Sequence, residues 1–228
     1  MYMYGYGIEY IFIILSIAIT LGAQFFINHK YNQTKRISVK KNLTGREVAR
    51  KILDNNDLKN VKVEETYGML SDHYDPRSKV VRLSSDIYNT SSIASVAVAA
   101  HECGHAIQDK NNYLFLRFRN LIIPLVNLSS KAGYIAILIG LISRITDLII
   151  IGIIFELVIL LFQLITLPVE FNASRRGLKQ LKELKLEDNE LKSSRGMLFA
   201  AALTYVASVA ATLLQIFRLL MIVKRDKR

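Results

Sequence analysis

Cysteine occurs once in this chain, at Cys103, so no disulfide can form within it. Acidic residues are scarce beside basic ones, 19 Asp and Glu against 30 Lys and Arg, which leaves a net charge of +11. Lys and Arg are missing from the opening stretch "MYMYGYGIEY", and no small-x-small cleavage site follows the apolar run behind it. Both absences argue against a cleaved secretory signal and for a membrane anchor. Internal repeats and low-complexity tracts are absent too. Histidine is sparing, with 4 in 228 residues, and two of those fall within the single stretch "VAVAAHECGHAIQDK".

Apolar residues, by contrast, are plentiful and clustered. They make up 51% of the chain, with a mean hydropathy of +0.26, too apolar for an ordinary soluble domain of this length. Ile8 to Ile27, Asp147 to Pro168 and Met197 to Ile222 frame three blocks, and Leu121 to Ser143 a fourth that contains Lys131. Each approaches the roughly 20 residues an α-helix needs to cross a bilayer core. The fold class expected is a mostly α integral membrane protein with about four hydrophobic helices and a small α+β unit. The expected division is a first transmembrane helix at 6–27, an extramembrane unit at 28–120 and a transmembrane hairpin at 121–168. A further extramembrane segment at 169–196 and a membrane-associated helix at 197–223 complete it.

The positive charge tracks the ends of these blocks. "NHKYNQTKRISVKK" after the first and "SRRGLKQLKELK" after the third are strongly basic, matching the cytoplasmic excess of Lys and Arg in membrane proteins. Aromatic residues do not alternate with these charges as a single-strand-binding surface needs, so nucleic acid is set aside as a partner. The same asymmetry places the N-terminus outside, residues 28–120 in the cytoplasm and the "SRITD" turn outside, with a return to the cytoplasm at "VEFNASRRG". The last block creates a conflict, because the tail "KRDKR" is basic yet would end outside. Either the block spans against the rule, or it lies along the membrane surface as an amphipathic segment. Within the membrane, Lys131 and Glu156 come to similar depth when counted from the turn. Burial in lipid favours their pairing, while Lys131 could instead extend to the surface.

The first extramembrane stretch has the marks of a folded unit. Thr44 followed by Glu47 forms a capping box ahead of Val48, Ile52 and Leu53. "NVKVEET" alternates as a strand does, and "DHYDPRSKVVRLS" predicts a turn at Asp75-Pro76 followed by a strand. "NTSSIASVAVAAHECGHAIQ" supplies polar caps and an alanine-rich helix. On that helix His101 and His105 lie about 40° and about 6 Å apart, so both imidazoles can reach one metal ion. Zinc suits two neutral imidazoles and a carboxylate, with the fourth position left to water. Glu102 sits about 100° around the helix, beside the ligands and free to take a proton from that water. His73, Tyr74, Arg175, Arg176 and Tyr205 are candidates for an oxyanion donor, and the strand "KVVRL" for pairing with an extended substrate.

The stretches "SDHYDPRSKVVRLSSDIYNTSSIASVAVAAHECGHAIQ", "PVEFNASRRGLKQL" and "AAALTYVA" resemble the bacterial membrane zinc metallopeptidases of the YugP type, from about Leu70 to Ala207. More distantly the layout is similar to the HtpX-like membrane peptidases, where two membrane helices separate the H-E-x-x-H helix from a glutamate ligand. The resemblance implies a zincin-like unit and a zinc-dependent endopeptidase in the bacterial cell membrane, facing the cytoplasm and acting on peptide or protein substrates, membrane proteins among them. By position, His101, His105 and Glu170 are the zinc ligands and Glu102 the catalytic carboxylate. Two departures stand out: Cys103 occupies a position where a small residue such as Ala is usual, and Ser174 stands where the distant relatives carry a supporting aspartate.

Location also favours Glu170. It follows Pro168 at the cytoplasmic end of the third apolar block, whereas Asp109 continues the histidine helix and Glu156 lies about 21 Å of helix deeper. Asn172 and Glu183 are the fallback ligands. Two other classes compete: a membrane scaffold with a structural zinc site, which does not need Glu102, and a metal transporter, which needs several ligands within the membrane.

Overall fold

A computed structural model describes residues 4–68 and 71–226 of the chain; Leu70, where the resemblance begins, lies outside them. The protein is mostly helical. In order come α1 (Tyr4–Lys35), α2 (Gly45–Asn55), β1 (Lys62–Thr66), β2 (His73–Asp75), β3 (Val80–Ser84), α3 (Ser85–Tyr88), α4 (Ile93–Lys110), α5 (Leu114–Ser143), α6 (Thr146–Glu183) and α7 (Asp188–Asp226). Helices α1, α5, α6 and α7 are each long and apolar enough to cross a membrane. All four continue past their apolar stretches, so 169–196 is formed by the end of α6, a short turn and the start of α7.

The chain divides into two compact units: Met1–Gln24, Arg117–Leu167 and Thr204–Arg228 form the first, Phe25–Leu116 and Pro168–Leu203 the second. The first unit is a helical bundle that leaves Ile14, Leu21, Ile142 and Ile154 exposed, as lipid-facing residues are. Its α5–α6 hairpin is packed through glycines. A Cβ on Gly152 would stand 2.3 Å from the Ile137 side chain, and one on Gly133 2.7 Å from that of Phe155. Leu219, Ile222 and Val223 of α7 cluster with Ile137, Ile149 and Ile153. Arg225 near the end of α7 bonds Glu9 near the start of α1 at 2.5 Å. Helix α7 thus runs unbroken to the same end of the bundle where α1 begins. Among the described residues no ion pair joins Lys131 to Glu156; Lys131 is exposed instead, against the expected pairing.

The second unit has its own core. The capping box at Thr44 forms as expected: the Glu47 N–H donates to Thr44 Oγ1 at 3.3 Å, and the Thr44 N–H donates back to Glu47 at 2.8 Å. Val48, Ala49, Ile52 and Leu53 of α2 pack with Val81 and Leu83 of β3 and Val96, Ala97 and Ala100 of α4. The sheet runs in the order β1-β3-β2, with β1 parallel and β2 antiparallel to β3. The strand "KVVRL" is therefore the central one, paired on both sides, and cannot accept a substrate strand. That expectation fails because β2, only three residues long, takes the second edge.

Candidate metal centre

Ser92 caps α4 by accepting the Ser95 N–H at 3.1 Å, and the helix runs without a break to Lys110. His101 and His105 consequently sit one turn apart, with ring centroids 4.8 Å from each other and nearly perpendicular planes. Helix α6 meets α4 at this turn through small residues. A Cβ on Gly104 would lie 2.4 Å from the Ala173 carbonyl oxygen, and one on Gly177 2.7 Å from that of Ala100. Ala100 and Gly104 on α4, and Ala173 and Gly177 on α6, are each four apart, which lets two backbones touch.

That contact brings Glu170 to the histidines. One of its carboxylate oxygens lies 3.2 Å from His101 Nε2 and 3.7 Å from His105 Nε2. The three groups offer ligand atoms that all lie within 4.8 Å of one another, close enough to hold a metal ion. Arms of about 2.0–2.1 Å in a tetrahedron set ligand atoms roughly 3.3 Å apart, close to the two carboxylate–imidazole distances, so zinc is accommodated once the widest pair draws in. The other ring nitrogens are held from outside: His101 Nδ1 is 3.1 Å from Ser174 Oγ, and His105 Nδ1 is 3.0 Å from Gln108 Oε1. Gln108 in turn donates to the Val169 carbonyl at 2.7 Å and to Asn172 Oδ1 at 3.1 Å, and Arg176 donates to the same Asn172 oxygen. Such partners fix each ring with Nδ1 occupied and Nε2 turned to the common point.

Glu102 stands beside this triad and outside it, only 7% exposed. Burial pushes its carboxyl up to about 7; the negative charges of Glu170 and Asp72 add to the rise, while His101 and the Tyr74 backbone N–H oppose it. That N–H belongs to β2, the strand whose outer side is unpaired in the sheet. Asp72 anchors the approach to β2 by accepting from the Ser84 backbone N–H at 2.7 Å and its hydroxyl at 3.1 Å. Cys103 points away, buried in the core with its thiol directed at the Ala49 carbonyl, and burial raises its pKa.

The remaining candidates separate. Tyr74 donates its hydroxyl to Asp109 at 2.7 Å, and Lys79 reaches the same carboxylate, so neither Asp109 nor that phenol joins the triad. His73 is exposed, with Nδ1 2.7 Å from the Ser71 carbonyl. Arg176 is engaged with Asn172, Arg175 faces a groove between α6 and α7, and Tyr205 belongs to the first unit. Glu183 accepts from Gln180, more than three turns beyond Glu170 on α6. Gln108, Gly104, Gly177 and Asp72 are contributors that the sequence reading passed over. Gln108 could have been found from its place three residues after His105, and the glycines from the matching four-residue steps.

Residues 9–224 match a family described as "Putative neutral zinc metallopeptidase". A curated relative, the "Putative membrane protease YugP" of Bacillus subtilis (strain 168), is 42% identical over 217 residues, covering 93% of this chain and 96% of that protein. No solved structure matches the chain.

Proposed function

Because the chain belongs to that family of zinc metallopeptidases, we propose that it is a membrane-embedded zinc endopeptidase with its site on the cytoplasmic side. The observation that carries this reading is the convergence of His101, His105 and Glu170, with Glu102 adjacent but outside the ligand set. The donor chemistry fits zinc: two imidazoles and one carboxylate, with a fourth position left open. His101 Nε2, His105 Nε2 and a Glu170 oxygen would hold it on a zincin-like unit. When bound, the ion makes a water nucleophilic at neutral pH and polarises the scissile carbonyl.

Everything else falls to the chain. The Glu102 carboxylate takes a proton from the attacking water and delivers it to the departing amine nitrogen. Burial raises that carboxyl's hold on a proton, which suits carrying it from the water to the amine. Ser174 and Gln108 keep the imidazoles oriented, and the unpaired side of β2 offers backbone groups to an extended peptide next to Glu102. The basic segments after α1 and on α6 support a cytoplasmic site in a multi-pass protein.

The competing reading, a scaffold with a structural zinc site, gives a buried Glu102 no task. Metal analysis of the detergent-purified protein, paired with cleavage assays on unfolded and membrane-protein substrates, tests the proposal. Stoichiometric zinc without any metal-dependent cleavage would leave only the scaffold.

A further inference from the structure

Two grooves flank the junction of α6 and α7 within the second unit, and both are cationic. The first, about 470 Å³, is walled by Arg175, Lys179 and Lys182 of α6 and Arg195 of α7, with Phe171 and Phe199 exposed at its rim. The second, about 500 Å³, shares Arg195 and Phe199 and adds Lys30 and Lys192. No Asp or Glu among the described residues lines either groove. Lys179 has Glu183 one turn on at 3.7 Å; Arg175, Lys182 and Arg195 have no acidic partner among the described residues. Six cations thus line two clefts that share Arg195 and Phe199, and of the four on the first groove only Lys179 has a carboxylate beside it among the described residues.

The first groove is also graded along its length. On α6, Phe171 follows closely on the apolar run that ends at Pro168, and Lys182 lies about 16 Å further along. On α7, Ala202 and Phe199 sit inside the apolar stretch, and Arg195 lies about 10 Å before Ala202, outside it. Apolar and aromatic atoms therefore mark the end of the groove that continues into the spanning segments, and cations the end that leaves them.

We propose that this groove seats an anionic phospholipid of the surrounding bilayer, with its phosphate among Arg175, Lys182 and Arg195 and its acyl chains along Phe171, Leu198 and Phe199. An anionic amphiphile has the same polarity as the groove, in the same direction. A soluble anion would leave the aromatic rim wet, and an acidic peptide would leave the apolar end without a partner. Aromatic residues at the headgroup level and basic residues just beyond it are the usual means of holding such a lipid.

The full-length protein, purified in a neutral detergent, is titrated with fluorescent phosphatidylglycerol. Unlabelled phosphatidylglycerol, phosphatidylcholine, glycerol phosphate and an acidic peptide serve as competitors. Unlabelled phosphatidylglycerol should displace the probe, and phosphatidylcholine should not. The triple variant Arg175→Ala, Lys182→Ala, Arg195→Ala should bind about a hundredfold more weakly, taking about a factor of five per cation. The charge-keeping set Arg175→Lys, Lys182→Arg, Arg195→Lys should bind as the parent does, separating charge loss from misfolding. Equal displacement by phosphatidylcholine, or unchanged binding in the alanine variant, overturns the proposal. Displacement by glycerol phosphate at lipid-like concentrations would show a free-anion site, and by the acidic peptide a peptide site; either also overturns it.

Discussion

Gly104 of α4 passes so close to Ala173 of α6 that a Cβ on the glycine would lie 2.4 Å from the alanine's carbonyl oxygen. The contact sits one residue before His105 and three after Glu170, so the spacing between the two helices sets the spacing of the ligands. Gly104→Ala should push the helices apart, cost about 1–3 kcal/mol as overpacking does, and lower zinc occupancy of purified protein. Metal content measured beside thermal unfolding checks this; a variant with normal zinc affinity would show that the contact does not position the site.

Removing the proposed proton carrier should separate catalysis from metal binding. Glu102→Gln keeps the side chain's shape and takes no ligand away, so zinc should stay while cleavage falls by about 10²–10⁴-fold. Wild-type cleavage by this variant would falsify the assigned role of Glu102.

Glu170→Ala should behave in the opposite way. It removes the oxygen that lies 3.2 Å from His101 and 3.7 Å from His105, so bound zinc and activity should be lost together. Full metal occupancy at normal affinity would place the third ligand elsewhere.

Behind the ligands, Ser174→Ala and Gln108→Ala should each weaken zinc binding by about 10–100-fold, because each frees one imidazole to turn. Ser174→Asp should instead bind at least as tightly, since a carboxylate is the stronger acceptor for the His101 ring N–H. Competition with a chelator measures all three, and an affinity of Ser174→Ala equal to the parent's would remove Ser174 from the site.

The Glu9–Arg225 pair sets a topology test, since it puts the start of α1 and the end of α7 on one side. Reporter fusions after Lys41 and Arg176 should read cytoplasmic, and fusions at Arg144 and after Arg225 external. A cytoplasmic reading after Arg225 together with Lys41 would mean that α7 does not span.

Much of this was legible in the residues themselves. The capping box at Thr44 and the histidine pair on a capped helix are local patterns, and local patterns survive folding. Glu170 as a ligand candidate comes from the family resemblance, and its place at the end of an apolar block favours it; the structure brings it beside the two histidines. What stayed hidden depends on partners distant in sequence. The central position of β3 is decided by the short β2, which carries almost no periodic signal. Gly104 is a backbone contact visible only once α6 is in place, and Lys131 reads the same whether it pairs or extends to the surface.

Pro168 lies inside α6, two residues before Glu170. Lacking an N–H, it cannot complete the bond to the Leu164 carbonyl, so the helix is weakest to bending at that level. On the Glu170 side the chain is clamped, by Gln108 on the Val169 carbonyl at 2.7 Å and by the Tyr113 hydroxyl on the Pro168 carbonyl at 3.4 Å. The missing rung and the two outside bonds fall on neighbouring residues, so the backbone that carries Glu170 is fastened by the side chains of Gln108 and Tyr113 at the point where the helix fastens itself least.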